Sequence, residues 1–299
     1  MTRRMLVALF AVLTCVAVAS VGAQQQFFMF LSLLDRNGNP PASLAPEQLN
    51  ITENGRTAEV LKVEKIDWPI KVHVLVDNGI GLGAENLIHV RNGVRDLMKT
   101  LPTGVEAALY TTAPQPRPLV RMTTDRLQLI QGVDRIAPDN GTGRYTESLN
   151  EAASRIEDDE TNHFPVIIAV ATTASDMDIR ERDVEQLLRR LQQRPTTVHS
   201  VVLSGAKSDN SFVGANTTQV GLAVQKLTRG RYDNIAAASR LSSLLPEIGE
   251  QVAASHARQS QQFRLTIERP EGAKGPIGEI GGAIPGGYTA TMTADGAMP

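Results

Sequence analysis

Hydrophobic and polar residues follow two different patterns along this chain, and the change between them falls near Trp68. Before Trp68, short apolar runs with β-type residues are separated by turn residues. The dipeptide Asn54-Gly55 lies between two such runs and predicts a tight hairpin, because both turn positions need a positive φ. Residues 24–67 are therefore predicted to form a small β segment.

After Trp68, continuous apolar runs alternate with segments that carry apolar residues every three or four positions. The runs VHVLVD, VEAALY, FPVIIAVA and TTVHSVVL are typical of strands that are buried on both faces. The segments between them have the period of amphipathic helices. This alternation predicts an α/β domain over residues 68–258, with a doubly wound, mostly parallel sheet and helices on both faces.

The C-terminal residues change character again. The run QFRLTIE, within residues 259–269, predicts one more strand, which we expect to join the N-terminal β segment in one β unit. Residues 270–299 are rich in Gly, Pro and Ala and contain few large apolar groups. We therefore predict a mobile tail there, because so little apolar surface cannot offset the entropy of ordering.

The first 23 residues have the layout of a secretory signal peptide. Arg3 and Arg4 precede an apolar run that ends in small residues, which predicts cleavage after Ala23. An uncleaved anchor is the alternative, although the run is short for a span of roughly 20 residues. Cleavage would remove Cys15, the only cysteine, and with it any disulfide or cysteine nucleophile. We expect an exported protein, periplasmic or extracellular, with no membrane span in its mature part.

Charge and motif content argue against several classes of function. The chain has 30 basic and 32 acidic residues and a net charge of −2, so nucleic acid is not an expected partner. The sequence contains neither the HExxH motif of zinc proteases nor the GxSxG motif of serine hydrolases. His73 and His199 lie within strand patterns and are interpreted as core residues. We expect no enzymatic activity.

The segment KVHVLVDNGIGLGAENL, residues 71–87, allows a nucleotide interpretation. Gly79, Gly81 and Ala84 fit the G-x-G-x-x-G/A fingerprint, and the loop lies between a strand and a helix. A dinucleotide site of this type also needs an acidic residue at the end of the next strand. The stretch VEAALYTT has none there, so we predict no nucleotide binding.

A different interpretation rests on a resemblance. Residues 68–258 resemble a von Willebrand factor type A (VWFA) domain in the order of their elements. The stretch LAPEQLNITENGRTAEV resembles the segment that precedes this domain in a family of exported bacterial VWFA-related proteins. The resemblance implies a metal-ion-dependent adhesion site, in which a D-x-S-x-S loop, a Thr from a second loop and an Asp from a third hold Mg²⁺ or Mn²⁺.

The first of these loops departs from the family pattern. Asp77 matches the Asp of D-x-S-x-S, but Gly79 and Gly81 stand where the two Ser residues are expected. The loop therefore keeps one carboxylate and loses two hydroxyl ligands. A structural role is the alternative for Asp77, which could cap the following helix or bond turn amides.

The second and third loops depart as well. Thr142 in DNGTGRYTESL is the candidate for the second loop, with an apparent one-residue insertion before the helix. Thr172 or Thr173 stands where the Asp of the third loop is expected. We therefore predict a degenerate site with no metal and no other cofactor. Asp176 and Asp178 are the candidate substitute ligands if a weak site survives.

Together these features predict an exported, non-enzymatic adhesion or interaction domain that binds a protein partner at the carboxyl edge of its sheet. The predicted partner-binding residues are Asp77, Asn78, Gly79, Gly81, Thr142, Thr172 and Thr173. Two other classes stay open: an enzyme with a pocket at the same edge, and a structural component of an envelope assembly. Convergent titratable groups would favour the enzyme, and a broad apolar surface would favour the structural component.

Overall fold

The computed structural model describes residues 25–176, 179–204 and 211–296, without the side chains of residues 211–215. The predicted signal peptide, its cleavage point and Asp178 lie outside these ranges. The described strands are β1 (Gln26–Leu34), β2 (Asn50–Glu53), β3 (Arg56–Lys65), β4 (Ile70–Val76), β5 (Glu106–Thr111), β6 (Arg117–Thr123), β7 (Phe164–Thr172), β8 (Thr197–Leu203), β9 (Tyr232–Ile235), β10 (Gln262–Glu268), β11 (Ile280–Ala283) and β12 (Thr289–Thr293). The described α-helices are α1 (Leu87–Thr100), α2 (Arg126–Asp134), α3 (Tyr145–Glu157), α4 (Glu181–Gln193), α5 (Ser211–Thr228) and α6 (Leu241–Gln259).

One six-stranded sheet forms the α/β domain, with strand order β6-β5-β4-β7-β8-β9. Its pairs are parallel except for the edge strand β6, which runs antiparallel to β5. Helices α1, α2 and α6 cover one face, and α3, α4 and α5 cover the other, each above its own apolar core. The predicted doubly wound fold is therefore confirmed.

The buried face of α1 shows why this pattern produces the fold. The side chains of Leu87, Val90, Val94 and Leu97 recur at helical spacing, and all four are buried against the sheet. At about 1.5–3 kcal/mol for each large apolar side chain removed from water, this stripe stabilises the packed helix far more than helix propensity does. Because the chain winds in opposite directions on either side of β4, a crevice is expected at the carboxyl end of that strand.

The second sheet is antiparallel and takes strands from both ends of the chain, as predicted, in the order β11-β2-β3-β10-β1-β12. The hairpin between β2 and β3 turns at Asn54 (φ 50°) and Gly55 (φ 75°). Both residues have the positive φ that the dipeptide predicts. Trp68 joins this sheet to the α/β domain, because its ring packs between Phe30 and Phe164 at centroid distances of 5.7 and 5.5 Å.

The prediction of a mobile tail over residues 270–299 missed two strands. Strand β11 pairs with β2, and strand β12 pairs with β1. Composition failed here because edge strands gain main-chain hydrogen bonds whatever their side chains, and because Ile280, Tyr288 and Met292 pack on the apolar core of the sheet.

A buried ion pair also holds the C-terminal segment. Arg269 forms two hydrogen bonds with the carboxylate of Glu53, at 3.0 and 2.5 Å, and both side chains are almost fully buried. The same guanidinium donates to the backbone oxygens of Gly275 and Pro276. The chain beyond β10 is thereby fixed against the β2–β3 hairpin. None of the described helices is long and apolar enough to cross a membrane.

Candidate functional site

The three loops that the sequence analysis singled out meet at the carboxyl edge of the α/β sheet. The first loop follows β4, the second precedes α3, and the third follows β7. Ile80 of the first loop donates its backbone N–H to the Gly141 oxygen of the second loop, at 3.0 Å. Asn78 donates its side-chain amide to the backbone oxygen of Ala137 at 2.8 Å and accepts from the backbone N–H of Ala113. The loops therefore form one connected surface.

Asp77 lies at the centre of this arrangement and is 1% exposed. Its Oδ2 atom accepts hydrogen bonds from Thr172 Oγ1 at 2.9 Å and from Ser175 Oγ at 2.7 Å. Its Oδ1 atom accepts from the backbone N–H of Gly79 at 2.8 Å. Both oxygens of this carboxylate are therefore engaged by donors of the protein itself.

The glycines of the site are close-packed. A Cβ atom on Gly79 would lie 2.5 Å from the backbone oxygen of Gly141, and one on Gly143 would lie 2.4 Å from Asp77 Oδ2. A Cβ on Gly81 would lie 2.6 Å from Thr172 Oγ1. The space that serine side chains would need at positions 79 and 81 is thus filled by the opposite loops.

This donor set does not fit the metal that the VWFA resemblance implies. Mg²⁺ needs several oxygen ligands in octahedral geometry, charged ones among them. Gly79 and Gly81 supply no side-chain oxygen, and the hydroxyl of Thr172 is directed to Asp77. Across residues 25–176, 179–204 and 211–296, no group of three or more His, Cys, Asp or Glu side chains could hold a metal ion. That the site has lost its metal remains a prediction.

Asp176 is a second buried carboxylate beside Asp77, at 5% exposure. Its two oxygens accept from the backbone N–H of Thr146 at 3.0 Å each, and Thr146 Oγ1 donates to Oδ2 at 2.6 Å. Burial raises the pKa of Asp176 to about 6; the Thr146 bonds oppose that rise, and the charge of Asp77 adds to it. The residue has a φ of 61°, in the left-handed region that Asp tolerates better than most residues.

A cavity of about 530 Å³ opens beside Asp176, between α3 and α4. Its lining carries charges of both signs, among them Arg144, Arg180, Glu147 and Asp183. Within the first loop, the side chain of Ile80 is 57% exposed, although the glycines on either side of it are buried. The carboxyl edge of the α/β sheet therefore presents the apolar side chain of Ile80 beside a polar cavity.

The predicted partner-binding residues differ in their accessibility. Asp77, Asn78, Gly79, Gly81 and Thr172 are buried, and Thr142 and Thr173 are half-buried. In this conformation the five buried residues support the surface loops and are not themselves accessible to a partner. Whether any of the seven contacts a partner remains a prediction.

Sequence reasoning missed two hydroxyl residues of the site, Ser175 and Thr146. Ser175 follows Thr172 at the spacing of a local turn, since its backbone N–H bonds to the Thr172 oxygen. A hydroxyl residue three positions after Thr172 was the sequence signal that could have identified Ser175. Thr146 stands four residues after Thr142, the candidate for the second loop, and its hydroxyl donates to the carboxylate of Asp176.

The geometry and the comparisons define the class of this protein. The von Willebrand factor type A domain matches residues 72–226, more than half of the chain. The chain belongs to this family.

The chain is also similar to several solved structures. A von Willebrand factor type A protein from Catenulispora acidiphila has 10% identity and a TM-score of 0.52, over 90% of this chain and 72% of its own. The conserved hypothetical protein BatB from Bacteroides thetaiotaomicron has 12% identity and a TM-score of 0.48, over 62% of this chain and 100% of its own. The vWF domain of the type V pili tip protein Mfa5 from Porphyromonas gingivalis has 10% identity and a TM-score of 0.45, over 63% and 96%. At such identities the likeness concerns the fold alone. No curated protein sequence matches the chain.

Proposed function

We propose that this chain is an exported, non-enzymatic protein-binding module, which recognises its partner at the carboxyl edge of the α/β sheet without a metal ion. One observation carries the metal-independent part of the proposal. The Asp77 carboxylate receives hydroxyl hydrogen bonds from Thr172 and Ser175 on the oxygen Oδ2. An incoming cation would have to displace both donors and also shed its own water.

The surface around the loops supplies the contacts that a protein partner needs. Ile80 offers an exposed apolar side chain, of the kind that anchors an interface when a partner buries it. The adjoining cavity offers Arg180 and Glu147 for rim contacts of either charge. It also offers Asn150, whose Oδ1 atom is shielded and has no hydrogen-bond partner among the described residues.

Dinucleotide binding is disfavoured by the hydrogen bonds of the glycine loop. A phosphate-binding loop directs free backbone N–H groups at its ligand. Here the N–H of Gly79 bonds to Asp77, that of Ile80 bonds to Gly141, and that of Leu82 bonds to Gly79. These amides are satisfied within the chain, which supports a structural role for the loop.

The chemistry of the two carboxylates also favours binding over catalysis. The hydrogen-bond donors to Asp77 and Asp176 within the described residues are hydroxyls and backbone amides. Neither carboxylate has a histidine or lysine among these donors, so the pairing of an acid with a base that general acid–base catalysis uses is missing there.

An affinity capture from the envelope of the native host tests this proposal. We expect the tagged protein to retain the same partner with and without a chelator. Ile80→Asp should abolish capture, because it places a charge at the centre of the apolar contact. The matched control is Leu127→Asp, at an exposed apolar residue of α2 that is 65% accessible, which should bind as the wild type does. Loss of the partner on chelation would refute metal-independent binding. Full capture by Ile80→Asp would show that the partner does not bind at the carboxyl edge of the sheet.

Export rests on the N-terminal sequence pattern, in which two arginines, an apolar run and small residues precede Gln24. We expect the mature protein to begin at Gln24. Intact-mass measurement on protein from the native host tests this cleavage site. A mass that retains residues 1–23 would favour the membrane-anchor alternative.

A further inference from the structure

A second cavity runs along β5 and β6, from Lys71 and Glu106 near the amino ends of β4 and β5 to Tyr110. Its volume is about 620 Å³, and its lining includes His73, Tyr110, Arg121 and Arg155. We call it the amino-edge cavity. Cavities of this size are typical of sites for small organic ligands.

His73 is the unusual residue of this cavity. It is 5% exposed, and its ring stacks on that of Tyr110 at a centroid distance of 6.0 Å and an interplanar angle of 15°. The ring makes no hydrogen bond with the described residues, and its Nδ1 atom is shielded from solvent. Burial lowers the pKa of His73 to about 4, so the ring is neutral near pH 7 and carries one N–H. Buried polar groups are nearly always hydrogen-bonded, so an unpartnered ring nitrogen is an unusual feature of the cavity wall.

The polar groups of the lining that have no hydrogen-bond partner among the described residues are mainly donors. The hydroxyl of Tyr110 makes no hydrogen bond with the described residues, and burial raises its pKa, which keeps it protonated. The guanidinium of Arg121 is exposed and makes no hydrogen bond or ion pair with the described part of the chain. Arg155 lies 5.7 Å from the centroid of the Tyr110 ring, and its ion pair with Glu151 is half exposed.

Two of the acidic residues in the lining are already paired. Asp159 accepts from Lys71 Nζ at 2.7 Å and from Thr161 Oγ1 at 2.6 Å, and Glu106 lies 4.0 Å from the same ammonium. Asp158 is exposed at the end of α3. Among the cations of the lining, Arg121 and Arg155 are therefore the two that an anionic ligand can reach, since Lys71 is paired with Asp159.

We propose that the amino-edge cavity binds a small organic carboxylate with an aromatic or apolar body. The carboxylate would accept from Arg121, Arg155 and the Tyr110 hydroxyl. The body would lie against the apolar lining, which includes Met122. The proposal does not rest on the partner-binding face at the carboxyl edge of the sheet.

Titration of the purified full chain with phenylacetate, followed by calorimetry and by the ¹⁵N shifts of the His73 ring, tests the proposal. We expect saturable binding that moves the His73 resonances. Arg121→Gln and Tyr110→Phe should each weaken binding at least tenfold. The matched control is Arg117→Gln, at an exposed arginine of the same strand that is not part of the lining, and it should bind as the wild type does.

Two further probes separate the class of ligand from a simple ion contact. Acetate has the carboxylate without the body, and phenylacetamide has the body without the charge. Both should bind at least tenfold more weakly than phenylacetate. Equal binding of acetate would reduce the site to an ordinary surface contact and overturn the proposal. An absence of saturable binding to the folded protein, or full binding by Arg121→Gln, would overturn it too.

Discussion

Thr172 donates a hydrogen bond from Oγ1 to the Oδ2 atom of Asp77 over 2.9 Å, across 95 residues of sequence. The bond joins the end of β7 to the end of β4, at the point where VWFA domains carry their metal ligands. Ser175 donates to the same oxygen from the other side. The hydroxyl protons supply the positive partners that this buried carboxylate requires.

The hydroxyl of Thr172 should therefore contribute measurably to stability. Thr172→Val keeps the shape of the side chain and removes one donor from a buried carboxylate. We expect the free energy of unfolding to fall by about 1–3 kcal/mol, the range for lost hydrogen bonds to charged or buried groups. Urea unfolding measures the change. Thr173→Val is the matched control, since that neighbouring residue is half-buried, and it should stay within about 0.5 kcal/mol of the wild type. Equal stability of the two variants would contradict the role of the Thr172 bond.

Divalent cations should leave the stability of the protein unchanged. A ligand stabilises the native state only in proportion to its binding, and both oxygens of Asp77 are engaged by protein donors. We expect millimolar Mg²⁺ or Mn²⁺ to leave the melting temperature where sodium chloride of equal ionic strength leaves it. Asp77→Ala should lower stability equally with and without Mg²⁺. A Mg²⁺-dependent rise in the wild type would make Asp176 and Asp178 the first residues to replace.

Restoring a serine at position 79 should fail to rebuild a metal site. A Cβ atom there would lie 2.5 Å from the backbone oxygen of Gly141 and 2.9 Å from the backbone nitrogen of Gly143. We expect Gly79→Ser and Gly79→Ala to lose stability alike, by about 1–3 kcal/mol, because the clash comes from Cβ. Thermal melts with and without Mg²⁺ measure both effects. Gly286→Ser is the control, since a Cβ there meets nothing within 4 Å. A Gly79→Ser variant as stable as the wild type would show that the loops open easily.

The sequence predicted those features that depend on local periodicity. The α/β order, the buried face of α1 and the Asn54-Gly55 hairpin all follow from which positions are apolar or need a positive φ. The bond from Ser175 to Asp77 depends on how two distant loops close, and no local pattern carries that information. The strands after residue 270 were missed for a related reason: their stability comes from pairing with β2 and β1, and composition alone does not report an available edge.

The ionisation of Asp176 should make the stability of the protein depend on pH. Burial raises the pKa of Asp176 to about 6, against 3.8 for an unperturbed aspartate carboxyl. Between these two pH values the native state holds a proton that the unfolded chain has already released. Stability from this group is therefore fully present below about pH 4 and is lost as the pH rises through 6, by about 3 kcal/mol in all.

Asp176→Asn isolates this effect, because asparagine tolerates the left-handed backbone and has no proton to release. We expect the stability of the wild type, measured relative to Asp176→Asn by urea unfolding, to fall steadily from pH 4 to pH 7 and to level off above. Titrating groups that do not interact with Asp176 are shared by the two proteins and cancel in the difference. A carboxyl ¹³C titration of Asp176 gives the midpoint independently. A difference that stays constant with pH, or that rises, would show that this carboxyl ionises as easily in the native protein as in the unfolded chain.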